Sequence, residues 1–207
     1  MNMNKFTYLA LGDSYTIGEG VSPDKNFPNQ LVSLLREEYG IEFATPELIA
    51  VTGWTTDELK AGIAARNPQG TYDLVTLLIG VNNQYRGRDV QEYKAAFEAL
   101  LDQAISFAGG NYKRVIVVSI PDWGHTPFAK EKEVDEHKVA SEIALYNEAK
   151  QAVTLAKGVR FLDITGMTRT LAQDTAYLVA DQLHYSDKLY REWAECLAPL
   201  ADKIFKQ

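Results

Sequence analysis

Tyr8-Leu9-Ala10-Leu11-Gly12-Asp13-Ser14 is the stretch on which the fold turns. A short apolar run without helical spacing describes a strand covered on both faces. Gly12-Asp13 breaks the run, and Ser14 is the first residue past its carboxyl end. In open α/β sheets, sites form at the carboxyl ends of the strands. A serine at that point is either a nucleophile or a helix cap, and the rest of the chain must choose between them.

Outward from this run, strand-like and helix-like segments alternate to the end of the chain. Residues 30–39 carry Leu31, Leu34 and Leu35 at helical spacing and close on Gly40. Residues 43–51 read as a second strand, followed by a helix opened by Thr55 or Thr56. Residues 74–79 (Leu-Val-Thr-Leu-Leu-Ile) and 115–120 are nearly unbroken apolar runs, as buried strands require. Helices are predicted over 90–107 and 134–157, a fifth strand over 159–164, and a last helix from 187, with Ser186 as its N-cap. Five buried strands separated by helices imply parallel pairing through right-handed crossovers. The predicted fold class is α/β, a three-layer α/β/α sandwich around a five-stranded parallel sheet. At this length one domain is expected over 1–207. Residues 121–133 form the longest irregular stretch and read as a surface loop or lid.

Bulk composition narrows the function. A net charge of −7 argues against sequence-independent binding of nucleic acid, which needs a basic face to neutralise phosphates. Cys196 is the single cysteine, so no intrachain disulfide forms, and its apolar helical neighbours describe packing. The amino terminus lacks the apolar stretch of a secretory signal, and no segment approaches the ~20 apolar residues that span a bilayer. A cytoplasmic location is the expectation.

The glycine turn after the first strand raises the question of nucleotides. Residues 12–20 contain neither G-x-G-x-x-G nor G-x-x-x-x-G-K-[ST], and Glu19 stands where a phosphate would sit. Metal spacing is equally lacking: there is no H-E-x-x-H, and neither His125 nor His137 has a second histidine at ligand distance. No cofactor and no metal are expected.

A serine hydroxyl is a weak nucleophile and needs a base with an orienting carboxylate behind it. His184 lies in Ala180-Asp181-Gln182-Leu183-His184-Tyr185-Ser186, with Asp181 three residues earlier. That spacing can bring both side chains to one side of a turn; equally, His184 is a loop histidine and Asp181 a turn former. Acyl transfer also needs donors for a developing oxyanion. Gly53, in Thr52-Gly53-Trp54-Thr55-Thr56, would let a backbone N–H approach a ligand, or is a turn glycine. Asn82, in Gly80-Val81-Asn82-Asn83, can aim an amide inward, or tolerates a left-handed turn. All of these fall at the same edge of the predicted sheet.

The ordered set Gly12-Asp13-Ser14, Gly53, Gly80-Val81-Asn82-Asn83 and Asp181-Gln182-Leu183-His184 resembles the SGNH or GDSL-like esterase/lipase superfamily. The resemblance runs from residue 8 to 184 and implies the family's flavodoxin-like SGNH hydrolase fold. It implies Ser14 as nucleophile, His184 as base and Asp181 as its orienting acid. The oxyanion hole would be the Ser14 and Gly53 N–H groups and the Asn82 amide. Tyr15 stands where the fuller pattern has leucine, and Asn83 where aspartate is common. The implied activity is serine esterase or acyl hydrolase on a small-molecule ester. Carbohydrate O-acetyl esterase, thioesterase or lysophospholipase activity would use the same machinery, and a catalytically silent α/β binding domain is the non-enzyme alternative. Trp54, Tyr85, Trp123 and Phe128 flank these blocks as candidate substrate contacts or as loop anchors. Arg86 and Arg88 are either contacts for an anionic leaving group or solvated. Oligomeric state is not legible.

Overall fold

A computed structural model describes residues 5–206, so the amino-terminal reading over residues 1–4 lies outside the described residues. Five strands run parallel: β1 (Tyr8–Gly12), β2 (Glu47–Ala50), β3 (Leu74–Leu78), β4 (Val115–Val118) and β5 (Arg160–Leu162). Their order in the sheet is β2-β1-β3-β4-β5. Ala10 of β1 pairs with Leu48 on one side and Thr76 on the other. The central strands β1, β3 and β4 are buried at every residue, which is why they read as continuous apolar runs. The edge strands β2 and β5 are partly exposed and shorter than predicted. Ahead of β2, Phe43 makes only an isolated bridge to Phe6.

Nine α-helices connect and cover the sheet: α1 (Ser14–Ile17), α2 (Phe27–Tyr39), α3 (Thr56–Arg66), α4 (Val81–Tyr85), α5 (Val90–Phe107), α6 (Pro127–Glu131), α7 (Glu136–Ala156), α8 (Thr165–Leu171) and α9 (Asp187–Phe205) among the described residues. Helix α2 starts earlier than the leucine stripe suggested because Asn26 caps it, its Oδ1 accepting from Asn29 N at 3.0 Å. Thr55 opens α3 as half of a reciprocal capping box with Glu58. Ser186 occupies the N-cap position of α9, but its hydroxyl donates to Ala176 O at 3.0 Å instead of capping.

The crossovers from β1 to β2 and from β2 to β3 travel in opposite directions across the sheet, so their helices cover opposite faces. Helix α2 accordingly packs with α9 in one layer, and α3, α5 and α7 pack side by side in the other. The chain reverses direction between β1 and β3, the switch point where α/β sheets place ligands. Beneath α1 lies an aromatic cluster. Tyr15 stacks on Tyr185 at 5.1 Å, Trp193 meets Tyr190 edge-on at 5.4 Å, and Phe27 lies 5.9 Å from Trp193. All are buried, and each buried ring contributes roughly 1.5–3 kcal/mol. The turn carrying Ser14 therefore rests on a rigid floor.

The expectation of an irregular stretch over 121–133 is corrected. A short 3-10 turn (Trp123–His125) and α6 occupy it, both capped by their own side chains. Asp122, fully buried, accepts from Gly124 N at 2.9 Å and pairs with Arg169 Nε at 2.6 Å. Thr126 Oγ1 accepts from Ala129 N at 3.2 Å. Isolated turns this short carry no apolar periodicity, and cap residues such as Asp122 and Thr126 occur as readily in irregular loops.

Candidate active site

Ser14 is the first residue of α1, but it is not the cap. Asp13 takes that role, its Oδ1 accepting from Tyr15 N at 3.1 Å. The Ser14 side chain is thereby released from capping, and the residue lines a cavity of about 210 Å³ at the carboxyl end of the sheet. Gly53, Asn82 and His184 line the same cavity. Residues from four separate segments converge there because the loops after β1, β2 and β3 and the turn before α9 open on one sheet edge.

Asp181 realises both readings of its spacing. Its Oδ1 accepts from Leu183 N and His184 N, each at 2.9 Å, which closes the turn. Its Oδ2 lies 2.6 Å from His184 Nδ1. Partial burial opposes its charge, but the His184 ring and the two backbone N–H groups outweigh that and hold the carboxyl below its usual range. Gln182 between them adopts a left-handed φ of 59°, and its N–H donates to Val179 O at 3.0 Å. The strained position is over-determined by these bonds.

The two glycine blocks are laced together. Gly53 has a φ of 85° that disfavours side chains, and its carbonyl accepts from Arg86 at 2.7 Å. Arg86 also pairs with Glu58 at 3.3 Å, and Arg88 bonds Asp57. Both arginines are thus bonded to α3 or the loop before it while remaining exposed to solvent. Asn82 Nδ2 donates to Trp54 O at 3.0 Å, which spends one of the amide's two hydrogens and leaves the other. Asn83 is buried and reciprocally bonded to Thr56: its Oδ1 accepts from Thr56 N at 3.1 Å and its Nδ2 donates to Thr56 Oγ1 at 2.9 Å. Gly80 holds a φ of 129° with Tyr93 packed against it, where a Cβ would lie 2.6 Å from the ring.

Tyr85, Trp123, Phe128, Val81 and Leu183 give the cavity apolar walls. Trp54 is placed elsewhere: it lines a separate groove with Leu48 and Val51, its ring seated over Gly62. Gln84 was not singled out from the sequence, yet it accepts from Trp123 Nε1 at 2.9 Å and donates to Glu142 at 2.7 Å, fixing one wall. A glutamine on a short helix carries no local signal for such a contact.

The other two histidines and the cysteine are not among the cavity's lining residues. His125 stands between Asp122 and Glu136, and His137 is exposed at the start of α7. Burial pushes the Cys196 thiol up, away from thiolate chemistry. No group of three or more His, Cys, Asp or Glu side chains suited to a metal occurs among the described residues. No helix among them is long and apolar enough to cross a membrane.

A five-stranded parallel sheet covered on both faces, with this cavity at its switch point, is a three-layer α/β/α sandwich with its site where such sheets place ligands. The model of the GDSL-like Lipase/Acylhydrolase family matches residues 10–192, and the chain belongs to that family. No curated protein sequence matches it. Among solved structures, the chain is similar to the lipase/acylhydrolase from Enterococcus faecalis, at 20% identity over 96% of each chain and a TM-score of 0.69. It is similar to the psychrotrophic esterase EstA from Pseudoalteromonas sp., at 14% identity over 98% of this chain and 100% of that one, with a TM-score of 0.67. It is also similar to Axe2, an acetyl-xylooligosaccharide esterase from Geobacillus, at 19% identity over 97% and 96% of the two chains, with a TM-score of 0.69. At these identities the likenesses establish the fold.

Proposed function

We propose that the protein is a serine esterase that cleaves small carboxylic esters through an acyl-enzyme on Ser14. One observation carries this reading: Ser14 and His184 line a single cavity, and the imidazole Nδ1 lies 2.6 Å from Asp181 Oδ2. A carboxylate at Nδ1 keeps the proton on that nitrogen and leaves the Nε2 lone pair free as a base.

In the first step Ser14 Oγ attacks the ester carbonyl as His184 takes its proton. The tetrahedral oxyanion is received by the N–H groups of Ser14 and Gly53 and the free amide hydrogen of Asn82. Protonated His184 returns the proton to the departing alcohol, and Asp181 stabilises the imidazolium meanwhile. Water, deprotonated by His184, then attacks the acyl-enzyme; the second tetrahedral intermediate collapses with cleavage of the Ser14 ester bond, His184 returning the proton to Ser14 Oγ as the acid leaves. Apolar walls at Val81, Phe128 and Leu183 favour an aliphatic acyl group beside Ser14.

The test is hydrolysis of p-nitrophenyl butyrate by the intact chain, together with covalent labelling by a fluorophosphonate. Labelling at Ser14 and loss of both signals in Ser14→Ala are expected. Retained turnover in Ser14→Ala overturns the assignment, and a folded wild type that neither labels nor turns over supports a silent binding domain.

A further inference from the structure

We propose that Tyr85 is a specificity-determining residue, a partition that limits the length of acyl chain the site accepts. The proposal rests on the esterase reading above. The cavity of about 210 Å³ at Ser14 adjoins a second, open groove of about 390 Å³, and Tyr85 and Trp123 line both. Their rings meet edge to face, with centroids 5.3 Å apart at 65°. These two rings are the wall between the spaces.

The halves of that wall differ in how firmly they are held. Trp123 is 5% exposed, and its Nε1 is bonded to Gln84, which is bonded in turn to Glu142. Tyr85 is 59% exposed at the last position of α4. Trp123 is therefore the fixed half, and Tyr85 is the half whose loss would join the two spaces. Beyond it, the groove continues apolar along Val134 and Val139, with Asp135, Lys138 and Glu142 providing its charged lining.

The size of the first cavity sets the limit. An apolar cavity of about 150 Å³ holds one benzene, so this cavity has room for roughly eight carbon-sized atoms. With the ester group included, acyl chains of about six carbons fill it at that packing. Longer chains meet the Tyr85 ring. With that ring gone they gain the walls at Val134 and Val139, each further buried methylene contributing about fourfold in kcat/KM.

The experiment measures kcat/KM on p-nitrophenyl esters from acetate to dodecanoate and reads the decanoate-to-butyrate ratio. Wild type is expected to peak at or below hexanoate. In Tyr85→Ala the ratio is expected to rise by about tenfold or more, as two or more additional methylenes are buried. Tyr85→Phe keeps the ring and is expected to keep the wild-type ratio. Tyr85→Ala/Val134→Phe, which narrows the groove, is expected to bring the ratio back toward wild type. A ratio that moves less than about twofold in Tyr85→Ala (under the value of one methylene), or as far in Tyr85→Phe as in Tyr85→Ala, or that Val134→Phe fails to reduce, overturns the partition. In each of those cases wild type still hydrolyses butyrate and labels at Ser14, so the esterase reading stands. Absence of all hydrolysis and labelling overturns both.

Discussion

His184 Nδ1 lies 2.6 Å from Asp181 Oδ2, and the other oxygen of the same carboxylate accepts from the backbone N–H of His184 itself at 2.9 Å. One side chain thus fixes both the position of the residue and the orientation of its ring. In Asp181→Asn the amide still fits, but it presents a donor or a neutral acceptor where the carboxylate stood. The expected result is a fall in kcat of roughly 10²–10⁴-fold with the fold intact. The lower part of that range applies because the Asp181 side chain is 45% exposed, so water can replace some of its contact with the ring. Steady-state kinetics with circular dichroism on the variant provide the check.

The pH dependence follows from the depressed carboxyl of Asp181. Its folded value lies below the ordinary 3.8, so its contribution to stability is fully present above that value. The contribution is lost as pH falls through the folded value. Stability curves of wild type and Asp181→Asn are expected to run parallel above pH 3.8 and to converge below it. Urea titrations of wild type and Asp181→Asn across acid pH provide the check.

Neighbouring asparagines divide in function. Asn82→Ala removes the amide proposed to meet the oxyanion and its bond to Trp54 O, and is expected to lower kcat by about 10²–10³-fold with a stability loss of only about 0.5–1.5 kcal/mol. Asn83→Ala instead leaves the buried Thr56 N–H and hydroxyl without partners. It is expected to cost about 1–3 kcal/mol of stability, with any kinetic loss following from displacement of the Gly53 loop. Denaturant unfolding beside initial rates distinguishes them; equal stability losses would contradict the division.

Beside Ser14 lie two buried ionisable groups, Asp13 and Lys150. Asp13 is pushed up to about 7, by burial first, against the opposing pull of Tyr15 N–H and the Lys150 charge. Lys150 is brought down to about 7 by burial, with Asp13 the group that favours its charge. Its Nζ donates to Val118 O at 2.8 Å and lies over the Phe97 ring. Lys150→Met removes the charge that favours the Asp13 carboxylate together with the Nζ bond to Val118 O, and is expected to cost about 1–3 kcal/mol. In Asp13→Asn/Lys150→Met no buried charge remains, and the loss is expected to be smaller than the sum of the two single losses by at least about 1 kcal/mol. A double-mutant cycle by chemical denaturation measures it; additive losses would show that the two groups do not interact.

Legibility in the sequence followed the range of the interactions. Central strands announced themselves because residues 74–78 and 115–118 are covered on both faces, which demands unbroken apolar runs. Long helices did so through their periodicity, and α3 through the Thr55-Thr56 pair at its start, of which Thr55 is the cap. The edges of the sheet were overextended because an apolar residue such as Phe43 reads the same whether it pairs in a ladder or packs beside one. The turns at Trp123 and Pro127 were lost because their order comes from a buried Asp122–Arg169 pair, two residues 47 positions apart.

The site divides in the same way. Residue order alone supplied the α/β/α alternation, the glycine breaks after the strands, and the serine, asparagine, aspartate and histidine that could share one edge, because strand ends are local events. Tertiary packing decided where each side chain points once the strand has ended. It gave the cap at α1 to Asp13 and left Ser14 facing the cavity. It tied Arg86 to the Gly53 carbonyl, turned Trp54 away over Gly62, and set Tyr85 against Trp123 as a wall. The contacts of Arg86 with Gly53 and of Tyr85 with Trp123 join residues tens of positions apart, for which no short window of sequence holds both partners.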